Sequence, residues 1–69
     1  MFRLYDKVKL KVGDQTNNVT PDQIGIIVDI AQSIDGKHGY TVEFIDGVGA
    51  SNISALEKYY EAKDLIKID

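Results

Sequence analysis

Few residues in this chain can do chemistry. The 69-residue sequence has one histidine, His38, and no cysteine, and its carboxylates are scattered, with Asp35 and Asp46 each directly before a glycine. General acid–base catalysis and metal binding both need such groups brought together, and no spacing here does that. His38, between Lys37 and Gly39, reads as a solvated hairpin residue, and Asp35 and Asp46 read as turn formers. The absence of cysteine removes a thiol nucleophile, a thiolate metal site and any disulfide. A phosphate-cradling Gly-x-x-x-x-Gly-Lys-Ser/Thr run is missing, and Gly47-Val48-Gly49 lacks the third glycine and the helix of a dinucleotide loop. The expectation is a protein that is not an enzyme, with no catalytic residue, no metal and no cofactor.

Charge gives one sharper feature. Arg3, Lys7, Lys9 and Lys11 against Asp6 put the first twelve residues at +3, and the net charge of −3 leaves the rest of the chain at −6. An acidic chain is a poor nonspecific ligand for nucleic acid, because affinity for the phosphate backbone grows with the number of phosphates neutralised. A local contact with an anionic partner through Arg3, Lys7, Lys9 and Lys11 stays open. The competing reading is that this lysine comb is the outward face of an edge strand, where it discourages aggregation.

The elements that must position these residues follow from periodicity. Lys7 to Val12 alternates with period two, which sets Val8, Leu10 and Val12 on one face and the lysines on the other. Gly13 to Asp22 is a long polar loop holding the only proline. A second strand is expected from Ile24 to Ser33, with Ile24, Ile26, Val28 and Ile30 inward and Ile27, Asp29 and Ala31 outward. Gly25 within it reads as a bend or bulge of positive φ that lets a small barrel curl. Asp35 to Gly39 makes a hairpin turn. A third strand, Tyr40 to Ile45, points Tyr40, Val42 and Phe44 inward, and Asp46-Gly47 begins the next turn.

Between Ala50 and Asp64 two readings compete. Ser54 with Glu57 fits a capping box for a helix near Ala55–Lys63, which would give an α+β open sheet. A fourth strand from Ile53 to Tyr60, a 3₁₀ turn at Ala62–Asp64 and a last strand Leu65–Ile68 fit better, since a barrel of this size needs about five strands. One domain spans residues 1–69, near the lower limit at which an apolar core sustains itself. The longest apolar run, Ile26-Ile27-Val28, is far short of the roughly 20 residues of a membrane helix. The N-terminus lacks the apolar region of a signal peptide, so a cytoplasmic location is expected.

Leu4-Tyr5-Asp6-Lys7-Val8-Lys9-Leu10, Ile24-Gly25-Ile26-Ile27-Val28, Tyr40-Thr41-Val42-Glu43-Phe44-Ile45-Asp46 and Ala62-Lys63-Asp64-Leu65 together resemble a family of small bacterial SH3-like barrels known as domain of unknown function 4926. The resemblance covers most of the chain and departs from the family in a longer Gly47 to Ser54 loop. It implies an all-β, partly open SH3-like barrel and a bacterial origin, and it carries no established activity. The glycine ahead of a short apolar strand is also similar to the KOW segment of nucleic-acid-binding factors. Such sites are grafted onto a common fold, so the fold does not choose between them.

Two functions are therefore expected. The first is a noncatalytic protein-interaction module, an accessory, regulatory, immunity or antitoxin-like partner of a larger bacterial protein or of itself. Its candidate interface residues are Ile27, Ile45, Tyr59 and Tyr60, on the reasoning that outward apolar and tyrosine side chains anchor interfaces. The alternative is a KOW-like nucleic-acid binder that uses the N-terminal lysines.

Overall fold

The computed structural model describes residues 2–45 and 49–68. Five strands run as β1 (Lys7–Leu10), β2 (Gly25–Gln32), β3 (His38–Phe44), β4 (Tyr60–Glu61) and β5 (Leu65–Ile68). A single-turn helix, α1 (Ile53–Leu56), precedes β4, and a 3₁₀ turn (Ala62–Asp64) joins β4 to β5. All strands pair antiparallel in one open sheet of order β4-β3-β2-β1-β5. The chain runs β2–β3–β4 as a meander and returns past the 3₁₀ turn to lay β5 beside β1, which is the SH3-like order. Asp46, where the second turn was expected to begin, lies outside the described residues with Gly47 and Val48. No helix among the described residues is long and apolar enough to cross a membrane.

The concave face holds the core. Val8, Leu10, Ile27, Tyr40, Val42, Phe44, Tyr60 and Leu65 come from the sheet, and Val19 and Ala55 close over them. The inward set of β3, Tyr40, Val42 and Phe44, is the one the alternation predicts. Edge-on aromatic pairs, Phe44 with Tyr60 and Phe2 with Tyr40, fill the two ends at centroid distances of 6.1 and 5.4 Å.

Strand β2 departs from simple alternation. Ile27 pairs with Val42 and Asp29 with Thr41, so Val28 is an extra residue with no partner of its own on β3. This bulge lets Ile27 and Ile30, three residues apart, both reach the inner side. Ile24, Ile26 and Val28, expected inside, are exposed, and Ile27, expected outside, is fully buried. The expected phase therefore holds after the bulge and is inverted before it.

Gly25 is not the bend. Its φ is not positive, and among the described glycines only Gly36 and Gly49 have a positive φ. It faces inward, level with Phe44 on β3 and Val8 on β1. A Cβ there would lie 2.4 Å from Val42 Cγ1 and 2.8 Å from Phe44 Cδ1. Glycine is required by the close approach of the core side chains, and the curl comes from Val28. Gly36, at φ 85°, forms the hairpin turn as expected, its N–H donating to the Ser33 carbonyl.

Three further expectations change. Val12 lies beyond the end of β1 and is exposed rather than inward. Strand β1 is flanked by β2 and β5, so its lysines are not on an edge. Neither reading of the Ile53–Lys63 segment holds whole: the chain makes one helical turn, Ile53–Leu56, and only then a two-residue strand at Tyr60, while the 3₁₀ turn and β5 keep their expected bounds. The helix is capped by Asn52, whose side-chain oxygen accepts from Ala55 N–H at 3.1 Å, and Ser54 instead donates its hydroxyl to that cap. A longer helix would carry Tyr60 away from Tyr40, its partner in the sheet.

Candidate functional site

The convex face of the sheet is where exposed side chains gather. Cross-strand partners share a face, and the registers set Ile68, Lys7, Ile26 and Glu43 side by side across β5, β1, β2 and β3. Three strand spacings make this row about 14 Å wide. Ile66 pairs with Lys9 in the next row. The same registers carried one step further set Ile24 beside Lys9 and Ile45 beside Ile24. Four isoleucines on this face, Ile24, Ile26, Ile45 and Ile66, are 52, 37, 46 and 47% exposed. Singly these would be unremarkable, but they are contiguous and interleaved with charge.

The charges beside the isoleucines are Lys7, Lys9 and Glu43, with Asp29, exposed and paired with Thr41, further along β2 past the bulge. Glu43 accepts the Ser51 hydroxyl at 2.8 Å, which holds its carboxylate against the sheet. Among the described residues none of the three is in an ion pair, since the pairs formed are Lys58–Asp14, Lys63–Glu61 and Lys67–Asp6. A cation, an apolar residue and an anion therefore lie in one line with their charges uncompensated.

A second constellation sits at the base of the long loop. Asp14 Oδ2 accepts from Asn17 Nδ2 at 2.7 Å, the Tyr60 hydroxyl at 2.9 Å and Lys58 Nζ at 3.1 Å. The Asn17 side chain, then Tyr60 and Lys58, outweigh the cost of burial and hold the Asp14 carboxyl down at about 2. Burial first, and the bond to Asp14 second, push the Tyr60 phenol up. A carboxyl held that low is too weak a base to take a proton from a substrate near neutral pH. Its role is to clamp. Asp14 and Val19 exchange backbone hydrogen bonds, and Asn52 Nδ2 donates to the Asn17 carbonyl, so the loop is tied to the α1–β4 segment and seats Val19 in the core. The exposed carboxyls Asp22 and Asp35 are lowered by the Thr20 and Ser33 hydroxyls, as befits turn residues.

The residues expected at an interface do not assemble as expected. Ile27 is buried because the bulge turns it inward, and Tyr60 is buried because its ring packs on Phe44 while its hydroxyl serves Asp14. Tyr59 is exposed and lies over Gly39, where an added Cβ would meet its Cβ at 2.9 Å. Ile45 is exposed at the other end of β3, about 20 Å along the strand from Gly39, so Tyr59 and Ile45 belong to different patches. Of the cationic set, Lys7 and Lys9 lie on the convex face. Lys11 lies past β1 beside the Asp14 clamp, with Lys58 and Lys63 along the same shallow groove. Arg3 is exposed in the N-terminal turn, its N–H donating to Asp6. His38 stacks on Tyr40 at 6.3 Å and lines a shallow depression with Glu61, and no three His, Cys, Asp or Glu side chains converge among the described residues.

Sequence reasoning missed Ile24, Ile26 and Ile66 as surface residues. A signal was present: if Gly25 is inward, both isoleucines that flank it must be outward. Asp14 carried no such signal, since Lys58 and Tyr60 lie 44 and 46 residues away. Comparison with protein-family models, with curated proteins and with solved structures found no match to the chain.

Proposed function

We propose that the protein is a noncatalytic interaction module that docks protein surfaces on the convex face of its sheet. The observation that carries this reading is the contiguous apolar row around Ile26, exposed on a sheet whose other face is a complete core. Apolar surface of that kind gains free energy only when covered, at about 25 cal/mol per Å². Lys7, Lys9 and Glu43 add orientation and exclude ill-matched partners. The reading includes membership of the bacterial SH3-like family that the sequence resembles, a cytoplasmic location and an accessory or regulatory role.

The nucleic-acid alternative has less support. Its lysines alternate with isoleucines across the sheet rather than with aromatic rings, which is what stacking on bases requires. The experiment is capture on immobilised protein with three baits: wild type, Ile26→Asp, and Ile34→Asp at the fully exposed hairpin tip. A protein held by wild type and by Ile34→Asp but lost from Ile26→Asp is the expected result. Equal capture by all three contradicts the assignment. RNA or duplex DNA binding at low salt that is abolished by Lys7→Glu would favour the alternative.

A further inference from the structure

We infer that the partner for which this face is built is a second copy of the same chain, related by a two-fold axis that runs along β2 over Ile26. The inference rests on reading the convex face as the interaction surface, and it names the occupant. In the row Lys7–Ile26–Glu43 the cation and the anion stand on either side of a central apolar residue. They are two strand spacings apart, about 10 Å, and they do not pair with each other in one chain. A two-fold axis between two facing sheets and parallel to β2 exchanges the two sides of the row. Lys7 then meets Glu43 of the second copy, Glu43 meets its Lys7, and Ile26 packs on Ile26. The pattern is self-complementary, which is what an isologous interface demands.

The neighbouring row agrees. The same axis places Ile24 on Ile24 and lays the Lys9 side chain over Ile45 of the second copy, where its methylene stem covers apolar surface. The orientation is selected as well as permitted. An axis across the strands would set Lys7 on Lys7 and Glu43 on Glu43, two like-charge contacts within the central row, whereas the axis along β2 opposes only Asp29 to itself, past the bulge at the end of the contact. Two sheets facing through such rows pack in the aligned manner of a β-sandwich. A contact four strands wide lies below the standard interface size, so the dimer is weak and concentration-dependent.

Sedimentation equilibrium on the full chain at low salt, up to about 1 mM, tests the inference. Wild type should show a monomer–dimer equilibrium within that range. Lys7→Glu alone should weaken it at least about tenfold, because each substitution acts twice across a two-fold axis and converts attraction into repulsion. Glu43→Lys alone should do the same. The double variant Lys7→Glu, Glu43→Lys should restore the dimer to within about threefold, which a general surface or folding effect could not produce. Lys7 is exposed, and circular dichroism of each variant confirms the fold before association is read. A wild-type chain that stays monomeric throughout, a dimer indifferent to Lys7→Glu, or a double variant that is not rescued overturns the inference. If the chain is monomeric while Ile26-dependent capture of another protein persists, only the choice of partner falls. If both fail, the proposed function falls with it.

Discussion

The two faces of β2 are built from the same residue types and do opposite things. Ile27 is completely buried between Val42 and the rest of the core, while Ile26, its neighbour in sequence, is more than a third exposed between Lys7 and Glu43. Side-chain chemistry does not distinguish them. Position relative to Gly25 and to the Val28 bulge does, because a strand's period of two makes every residue's face depend on its phase. The lesson is that an isoleucine on this strand serves either the fold or a contact outside it, and that substitutions should separate the two.

The largest separation should come from the centre of the core. Phe44→Ala removes a fully buried ring that packs on Tyr60 and over Gly25, and it should cost about 3 to 5 kcal/mol. A domain of this size has only about 3 to 10 kcal/mol in total, so chemical denaturation should find the variant largely unfolded. Next, Ile27→Ala should cost about 2 to 5 kcal/mol, and Ile26→Ala less than about 1. Equal costs for the pair would erase the distinction between the faces.

Gly25→Ala sharpens the same comparison from the backbone side. Its Cβ would enter the space of Val42 and Phe44, and the resulting displacement should cost about 1 to 3 kcal/mol. A melting curve at or above wild type would show that the core side chains can retreat, and that Gly25 is not what fixes the phase of β2.

How much of this was legible in the sequence varies by element. Tyr40, Val42 and Phe44 alternate without interruption, so their inward direction could be read directly. The 3₁₀ turn at Ala62–Asp64 and the strand after it were legible because Asp64, accepting from Glu61 N–H at 3.1 Å, stops the strand locally. The phase of β2 was not, because a bulge at Val28 leaves no mark in a run of β-branched residues. The surface row around Ile26 was lost with it, since the same error exchanged Ile26 and Ile27. The helical turn at Ile53 was obscured because its cap is Asn52, two residues before the serine whose spacing suggested a capping box. The clamp at Asp14 depends on residues far along the chain, and only the folded topology brings them together.

That clamp yields a smaller and pH-dependent effect. The Asp14 carboxyl titrates at about 2 in the fold against 3.8 when unperturbed, so its contribution is fully present above pH 3.8 and is lost as pH falls toward 2. Discounted for the loop's partial solvation, the contribution is about 1 to 2 kcal/mol. Asp14→Asn should lower stability by that amount at pH 7 and by much less at pH 2. A difference that stayed constant with pH would mean that the charge on Asp14 does not hold the loop.

The most direct measurement is a single variant, Ile26→Asp, read twice on the same preparation: by thermal melting and by sedimentation equilibrium. Placed on an exposed face, the carboxylate should shift the melting temperature by no more than about 4 °C, the equivalent of well under 1 kcal/mol in a domain of this length. In the centre of an apolar contact, opposite its own copy, it should abolish association. A melting temperature lowered by more than about 10 °C would place Ile26 in the core and invert the two faces. Unchanged melting with unchanged association would leave the convex face a surface without a partner.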